Sequence, residues 1–206
     1  MKALLINGSP RPRGCTYTAL NELKTTLEAE GIEVELLHVG NRDIRGCIAC
    51  GKCRELGRCV FDDIVNETAP KLAEADALVI GAPVYYASPA GGAISFMDRL
   101  FYSTGRIDKT MKVGAAVVTC RRGGNASSFD VLNKYFTISG MPVVSSQYWN
   151  MVYGNSAEEV RQDREGLQTM RTLGRNMAFL MKSIRLGREQ FGLPAQEPRQ
   201  VTSFHH

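Results

Sequence analysis

Short runs of aliphatic and β-branched residues alternate along the chain with longer stretches whose apolar side chains recur at helical spacing. That is the pattern of a parallel sheet covered by helices on both faces. The first run, Lys2–Asn7, leads into a Gly/Ser/Pro/Arg loop, after which Thr16 opens a helix with Leu20, Leu23 and Leu27 on one face and Gly31 at its end. Ile32–Val39 reads as a second strand. A cysteine-rich stretch from Gly40 to Val60 precedes Asp62-Asp63, whose carboxylates suit a helix N-terminus, and the short helix that follows contains Pro70. Asp76–Pro83 is apolar at both alternating sets of positions, as expected of a central strand buried on both faces. Helix Gly92–Tyr102, strand Met111–Thr119, a helix over 127–138 and a fifth strand Pro142–Trp149 follow. A long helix from Ala157 to Gly187 completes the pattern, with Leu167, Met170, Leu173, Met177, Leu180 and Ile184 along one face.

Five strands alternating with helices predict a three-layer α/β/α doubly wound fold with a five-stranded parallel sheet in the order 2-1-3-4-5. Residues 1–190 are read as one domain carrying the cysteine-rich loop 47–59, and 191–206 as an irregular C-terminal tail. At 206 residues, with 44% hydrophobic and 22% charged content, the chain can bury a full core and is neither disordered nor fibrous in composition. Runs such as Ala77–Ala82 and Val113–Thr119 fall well short of a bilayer span. The opening Met1-Lys2-Ala3-Leu4-Leu5-Ile6-Asn7-Gly8 is too short an apolar run for a signal peptide. A cytoplasmic location is therefore expected, with the six cysteines reduced or metal-bound.

The net charge of +4 arises after residue 160, where eight Lys+Arg meet four Asp+Glu. Arg161, Arg164, Arg171, Arg175, Arg185 and Arg188 lie along the predicted helix without interleaved aromatics that could stack on bases. This reads as a solvated or subunit-facing surface of a homodimer or homotetramer, not as a nucleic-acid patch.

Right-handed crossovers bring the loops after strands 1, 3 and 4 to one carboxyl edge, at the switch point where ligands bind in open α/β sheets. In the first, Asn7–Thr16, Gly8 and Gly14 allow close backbone approach, Ser9 and Thr16 offer hydroxyls, and Arg11 and Arg13 add charge at a helix N-terminus. A phosphate monoester suits that loop, which is neither a Walker loop nor a G-x-G-x-x-G turn. The second, Ala82–Gly92, pairs Tyr85-Tyr86 with small residues and suits a planar heterocycle. The third, Thr119-Cys120-Arg121-Arg122-Gly123-Gly124-Asn125, supplies cations and amides able to stabilise an anionic ring. Ordinary capped turns and tyrosines covering the core edge are the competing reading of the same residues.

Cys47-x2-Cys50-x2-Cys53-x5-Cys59 places four thiols within 13 residues, close enough for one loop to wrap a single metal centre. A [4Fe-4S] cluster, a zinc ion, and redox-active or merely buried thiols without metal all remain open on spacing alone. Cys15 and Cys120 read as small loop thiols. His38, His205 and His206 are the only histidines, and Ser9 lacks a G-x-S-x-G elbow, so a His-based triad is not expected.

Together, Gly8-Ser9-Pro10-Arg11, the segment Cys47 to Asp63, Ala82-Pro83-Val84-Tyr85 and Asp98-Arg99 resemble the flavodoxin-like NAD(P)H-dependent FMN reductases, in particular their iron–sulfur flavoprotein branch. The resemblance runs in order over residues 1 to about 150. It implies a flavodoxin-like fold with the FMN phosphate on Ser9, Arg11 and Gly14-Cys15-Thr16, the isoalloxazine on Pro83-Val84-Tyr85-Tyr86, and its far edge on Thr119, Arg121, Arg122, Gly123 and Gly124. Cys15 departs from the pattern, since family members commonly carry Asn there. The iron–sulfur branch holds a [4Fe-4S] cluster on a similar motif, which implies Cys47, Cys50, Cys53 and Cys59 as ligands; other relatives have cysteines here that need not bind one.

The implied activity takes hydride from NAD(P)H and passes electrons to a quinone or other small acceptor. The alternatives are an electron carrier linking FMN, a [4Fe-4S] cluster and a protein partner such as ferredoxin, and a flavin-binding redox sensor with zinc. Flavin chemistry needs no His triad, because the cofactor itself accepts the hydride. No nicotinamide motif is present, so NADH and NADPH are not distinguished. Asp98-Arg99 is read as an ion pair anchoring the second loop, and Trp149 as either a core residue at a strand end or a cover for a neighbouring subunit's flavin.

Overall fold

The computed structural model describes residues 1–198, 200–202 and 204; His205 and His206 lie outside the described residues. Strand β1 (Lys2–Asn7) is followed by helix α1 (Cys15–Ala29) and β2 (Glu33–His38). The thiol loop carries the short α2 (Cys53–Leu56) and leads to α3 (Ile64–Glu74). Next come β3 (Ala77–Tyr85), β4 (Ser88–Pro89), α4 (Gly91–Ser103), β5 (Val113–Cys120) and α5 (Asn125–Thr137). The chain closes with β6 (Met151–Tyr153), α6 (Ala157–Gln162) and α7 (Arg164–Phe191).

Five parallel strands run β2-β1-β3-β5-β6, which is the expected 2-1-3-4-5 order, and the two-residue β4 folds back antiparallel on the end of β3. Side chains alternate between two cores, as period-2 strands require. Leu5, Val79, Ala115 and Val117 pack with Leu20, Leu23 and Leu27 of α1 and with Met170, Leu173 and Met177 of α7. Leu4, Ile6, Leu78, Ile80 and Val118 pack with Leu72 of α3, Phe96, Met97 and Leu100 of α4, and Leu132 and Phe136 of α5. The apolar stripe of the last helix is thus spent on the core. Among the described residues no helix is long and apolar enough to cross a membrane.

Two elements differ from expectation. The fifth strand is not Pro142–Trp149: that segment touches the sheet at one bridge, Val143 beside Gly114, and regular pairing begins at Met151. Trp149 is more than half exposed and leans on Tyr148 at 5.3 Å between ring centroids, so it is not a core residue. The long helix is broken at Asp163, whose carboxylate caps α7 by accepting from the Gly166 amide (2.9 Å) and also accepts from the Tyr153 amide (2.7 Å). Pro70 stays inside α3, because burial of Ile64, Val65, Thr68 and Leu72 holds the helix through the lost amide. Of the arginines beyond residue 160, Arg171 pairs with Glu22, Arg161 with Glu158 and Arg185 with Glu189.

Candidate functional site

The loops after β1, β3 and β5 converge on a cleft of about 250 Å³ at the carboxyl edge of the sheet, lined by residues of all three. Ser9, Arg11, Cys15, Thr16, Pro83, Val84, Tyr85, Thr119 and Arg121 face it, together with Cys120. Gly14, Tyr86, Arg122, Gly123 and Gly124 do not line it.

The first loop is built by its own side chains. The Ser9 amide donates to Asn7 Oδ1 (3.1 Å), the Arg11 amide to Ser9 Oγ (3.2 Å), and His38 Nε2 meets the Ser9 carbonyl at 2.8 Å. Gly14 precedes α1 with no side-chain cap among the described residues, so the first-turn amides of Cys15 and Thr16 are left for an anion. Arg11 stands over this mouth, with Nη1 donating to the Asn155 carbonyl at 3.4 Å. Thr16 and Thr119 are buried and share a hydrogen bond of 2.9 Å between hydroxyls, which ties the first loop to the third.

The second loop is a hairpin with only Tyr86-Ala87 between paired Tyr85 and Ser88. Both turn residues have positive φ, 50° and 60°, the geometry of a type I′ turn built without glycine. Left-handed backbone costs such residues about 1–2 kcal/mol each, and strain of this kind collects at functional sites. The Ala87 carbonyl accepts from Ser127 Oγ (2.8 Å). Gly124, at φ 86° before α5, lies so close that an added Cβ would fall 2.4 Å from Ala87 Cα. The tip therefore holds Tyr85 at the cleft and leaves Tyr86 fully exposed.

A fourth segment, absent from the expected set, closes the cleft: Gly154 and Asn155, after β6. Asn155 is held at the start of α6, where the N-cap Ser156 Oγ accepts from the Glu159 amide (3.2 Å) and Glu159 Oε2 from the Asn155 amide (2.7 Å), and the Gly154 amide donates to the Cys120 carbonyl (3.0 Å). The S-x-x-E spacing was legible, but the misplaced fifth strand concealed that it opened at this edge. Cys15 Sγ contacts the Gly154 carbonyl at 3.5 Å. Burial pushes the Cys15 thiol up, against the pull of its own backbone amide and of Arg11; burial likewise raises Cys120.

The four clustered cysteines line one recess between the thiol loop and α4, walled by Ile48, Val60, Phe61 and Tyr102. Ala49 (φ 53°), Gly51 (φ 70°) and Gly57 (φ 70°) bend the loop around it. Cys47 and Cys50 are exposed, and Cys53 and Cys59 half-buried. Among the described residues no three Cys, His, Asp or Glu side chains stand close enough to hold one metal ion. Four sulfurs about 2.3 Å from a common zinc are therefore not preformed. The recess is about 20 Å³, room for roughly one water, so a larger centre requires the Cys47–Gly51 arm to swing outward. The donor set itself, four thiols on one loop in an apolar wall, fits an iron–sulfur cluster.

Arg99 does not pair with Asp98. Asp98 instead accepts from the Tyr135 hydroxyl, and burial followed by that carboxylate raises the tyrosine pKa. Arg99, 1% exposed, reaches from α4 into the thiol loop and forms a two-pronged bond with Asp63 (2.7 and 2.9 Å). Burial pulls its pKa down, but the hydrogen bonds to Asp63 and Cys59 outweigh that and raise it above the ordinary guanidinium range.

A doubly wound sheet in this order, with its loops gathered at the switch point beside β1, defines a flavodoxin-like protein. The chain belongs to the NADPH-dependent FMN reductase family, whose sequence pattern matches residues 1–156, as the four motifs led us to expect. An iron–sulfur flavoprotein of Methanocaldococcus jannaschii is 32% identical over 192 residues, covering 90% of this chain and 100% of that protein. Two solved structures share the fold. An NAD(P)H:quinone oxidoreductase from Methanothermobacter marburgensis superposes with TM-score 0.65 at 18% identity, covering 86% of this chain and 96% of that one. A flavodoxin from the domain Archaea does so with TM-score 0.60 at 18% identity, covering 88% and 99%.

Proposed function

We propose that this chain is a cytoplasmic FMN-dependent oxidoreductase that takes hydride from NAD(P)H and delivers electrons to a quinone or other small acceptor. The observation that carries this reading is the cleft at which four loops meet, combining free helix amides, Arg11 and Arg121, and the Tyr85 ring. Bound FMN supplies the hydride acceptance and electron release. The chain's own part is to bind and orient. Ser9, Arg11 and the turn Gly14-Cys15-Thr16 would hold the phosphate, Pro83-Val84-Tyr85-Tyr86 the ring system, and Thr119, Arg121, Arg122, Gly123 and Gly124 its far edge. Arg121 would stabilise negative charge on that edge. Residues 1–190 form the flavin-binding unit in this reading. Exposed Phe179, Leu186 and Phe191 on α7 support self-association as a dimer or tetramer.

A second reading is favoured by one specific observation: four thiols facing a common recess. Here Cys47, Cys50, Cys53 and Cys59 hold a [4Fe-4S] cluster, and the protein carries electrons between FMN, the cluster and a ferredoxin-like partner. Such a cluster supplies one-electron exchange. The name of the relative from Methanocaldococcus jannaschii supports this reading.

The test is an anaerobic ultraviolet–visible spectrum with iron, sulfide and zinc analysis on the same sample, followed by steady-state assays with NADH, NADPH, quinone and reduced ferredoxin. Flavin bands and NAD(P)H–quinone turnover are expected. A broad shoulder with about four irons per chain and reduction only by the protein donor would select the carrier. A colourless protein that takes up no added FMN would overturn both readings.

A further inference from the structure

A guanidinium has five N–H donors in one rigid plane, and Arg99 places all five on the thiol loop. Nε donates to Cys59 Sγ (3.3 Å), Nη1 to the Arg45 carbonyl (3.3 Å) and Asp63 Oδ2 (2.7 Å), and Nη2 to the Phe61 carbonyl (3.2 Å) and Asp63 Oδ1 (2.9 Å). These partners stand at both ends of the loop, Arg45 before Cys47 and the others from Cys59 onward. The Arg99 and Arg45 guanidiniums also lie over the Phe61 ring, at 5.0 and 5.4 Å from its centroid. Cys59 is fixed a second time by Asn66, which accepts from its amide (2.9 Å) and donates to its carbonyl (3.0 Å).

We propose that Arg99 is the positioning residue of the thiol loop: it pins both ends of residues 45–63 to α4, makes Cys59 the fixed corner of the thiol set, and leaves the exposed Cys47–Gly51 arm to swing outward around a metal centre. A charged side chain this buried would be costly without partners. A surface loop would not require one, whereas a loop that must present four sulfurs in register does. Lysine cannot replace it, having three donors on a point charge and no planar fork. The hydrogen bond to Cys59 has a second consequence, which rests on the cluster reading. A donor on a metal-bound thiolate disperses its negative charge and favours the reduced state.

The test separates these two parts. In metal-free protein, hydrogen exchange is followed at the loop amides of Arg54, Leu56, Gly57 and Cys59, which are bonded in the folded loop. Arg99→Lys should speed their exchange by about ten-fold or more, with the amides of β1, β3 and β5 unchanged. It should also lower iron retention against a chelator and the reduction potential of the reconstituted protein. Asp63→Asn keeps the helix cap and one acceptor, and should give a smaller increase in the same amides if Arg99→Lys fails to fold. Loop exchange within two-fold of wild type in a folded variant would overturn the proposal. Wild-type protein that binds no iron on reconstitution would remove the cluster reading, while the exchange result still decides the role of Arg99.

Discussion

Gly40 follows β2 and touches the loop after β1 so closely that its lack of a side chain is a requirement of that loop's conformation. A Cβ there would lie 2.2 Å from the Ser9 carbonyl oxygen, 2.3 Å from the Ser9 carbonyl carbon and 2.5 Å from that of Gly8. Carbon and oxygen normally approach to about 3.3 Å, so in Gly40→Ala the backbone at Ser9 must retreat by roughly 1 Å. Every neighbour resists, since Ser9 is held by Asn7 through its amide and by His38 through its carbonyl. Overpacking against fixed backbone costs about 1–3 kcal/mol, read as a fall in the urea midpoint at unchanged slope. The same displacement removes the Ser9 and Arg11 groups from an anion at the cleft. One lost hydrogen bond to a charged group is worth about 1.5–3 kcal/mol, so FMN affinity should fall roughly ten- to 100-fold in a fluorescence titration. A folded Gly40→Ala protein that binds FMN within two-fold of wild type would refute the placement of the phosphate at this loop.

Gly187, half-buried inside α7, has nothing within 4 Å of an added Cβ, so Gly187→Ala should raise stability by about 0.5–1 kcal/mol and leave FMN binding unchanged; a loss of stability would show that α7 is covered there. Arg11→Ala should weaken FMN by about ten-fold or more but leave the affinity for riboflavin, which has no phosphate, within two-fold. Equal losses for both ligands would place Arg11 on the ring instead. Burial raises the Cys15 and Cys120 thiols above the ordinary thiol range, so the thiolate is scarce at neutral pH and their alkylation should accelerate as pH rises into the alkaline range. Added FMN should slow that alkylation at pH 9.5, and labelling indifferent to FMN would mean that the cofactor leaves the cleft open at both thiols.

The sheet was legible because its central strands are apolar on both faces and its turns carry glycine and proline in the right places. The order 2-1-3-4-5 came from the doubly wound pattern of five strands opened by a strand feeding an anion-type loop, and right-handed crossovers then gave the convergence of three loops. What could not be read was geometry decided by side chains distant in sequence. Asp163 stops a helix that periodicity would continue, because a strand amide, Tyr153, needs the same carboxylate. The Pro142–Trp149 run looks like a strand by composition, yet pairing waits for Met151, where the ladder beside Val118 to Cys120 can form. That one slip hid Gly154 and Asn155 from the site. Asp98 and Arg99 are adjacent in sequence and point to different elements, as neighbours on a helix do, one to Tyr135 and one to Asp63.

Helix α4 places the cleft at the carboxyl edge and the thiol loop in a common frame. Its first turn backs directly onto the loop after β1: Gly8 approaches so closely that an added Cβ would sit 2.7 Å from Ala93 Cβ. The Ala90 amide donates to the Pro83 carbonyl (3.0 Å), which ties the same turn to the second loop. Six residues further on, about 9 Å along the axis, Arg99 grips the thiol loop. Phe96, Met97 and Leu100, between and beside these points, are fully buried in the core, so the helix cannot shift at one end without the other. A flexible tether between the two regions would let the thiol loop wander relative to the cleft. A buried helix fixes their separation, and fixed separation is what electron exchange between a bound flavin and a thiol-held centre would require.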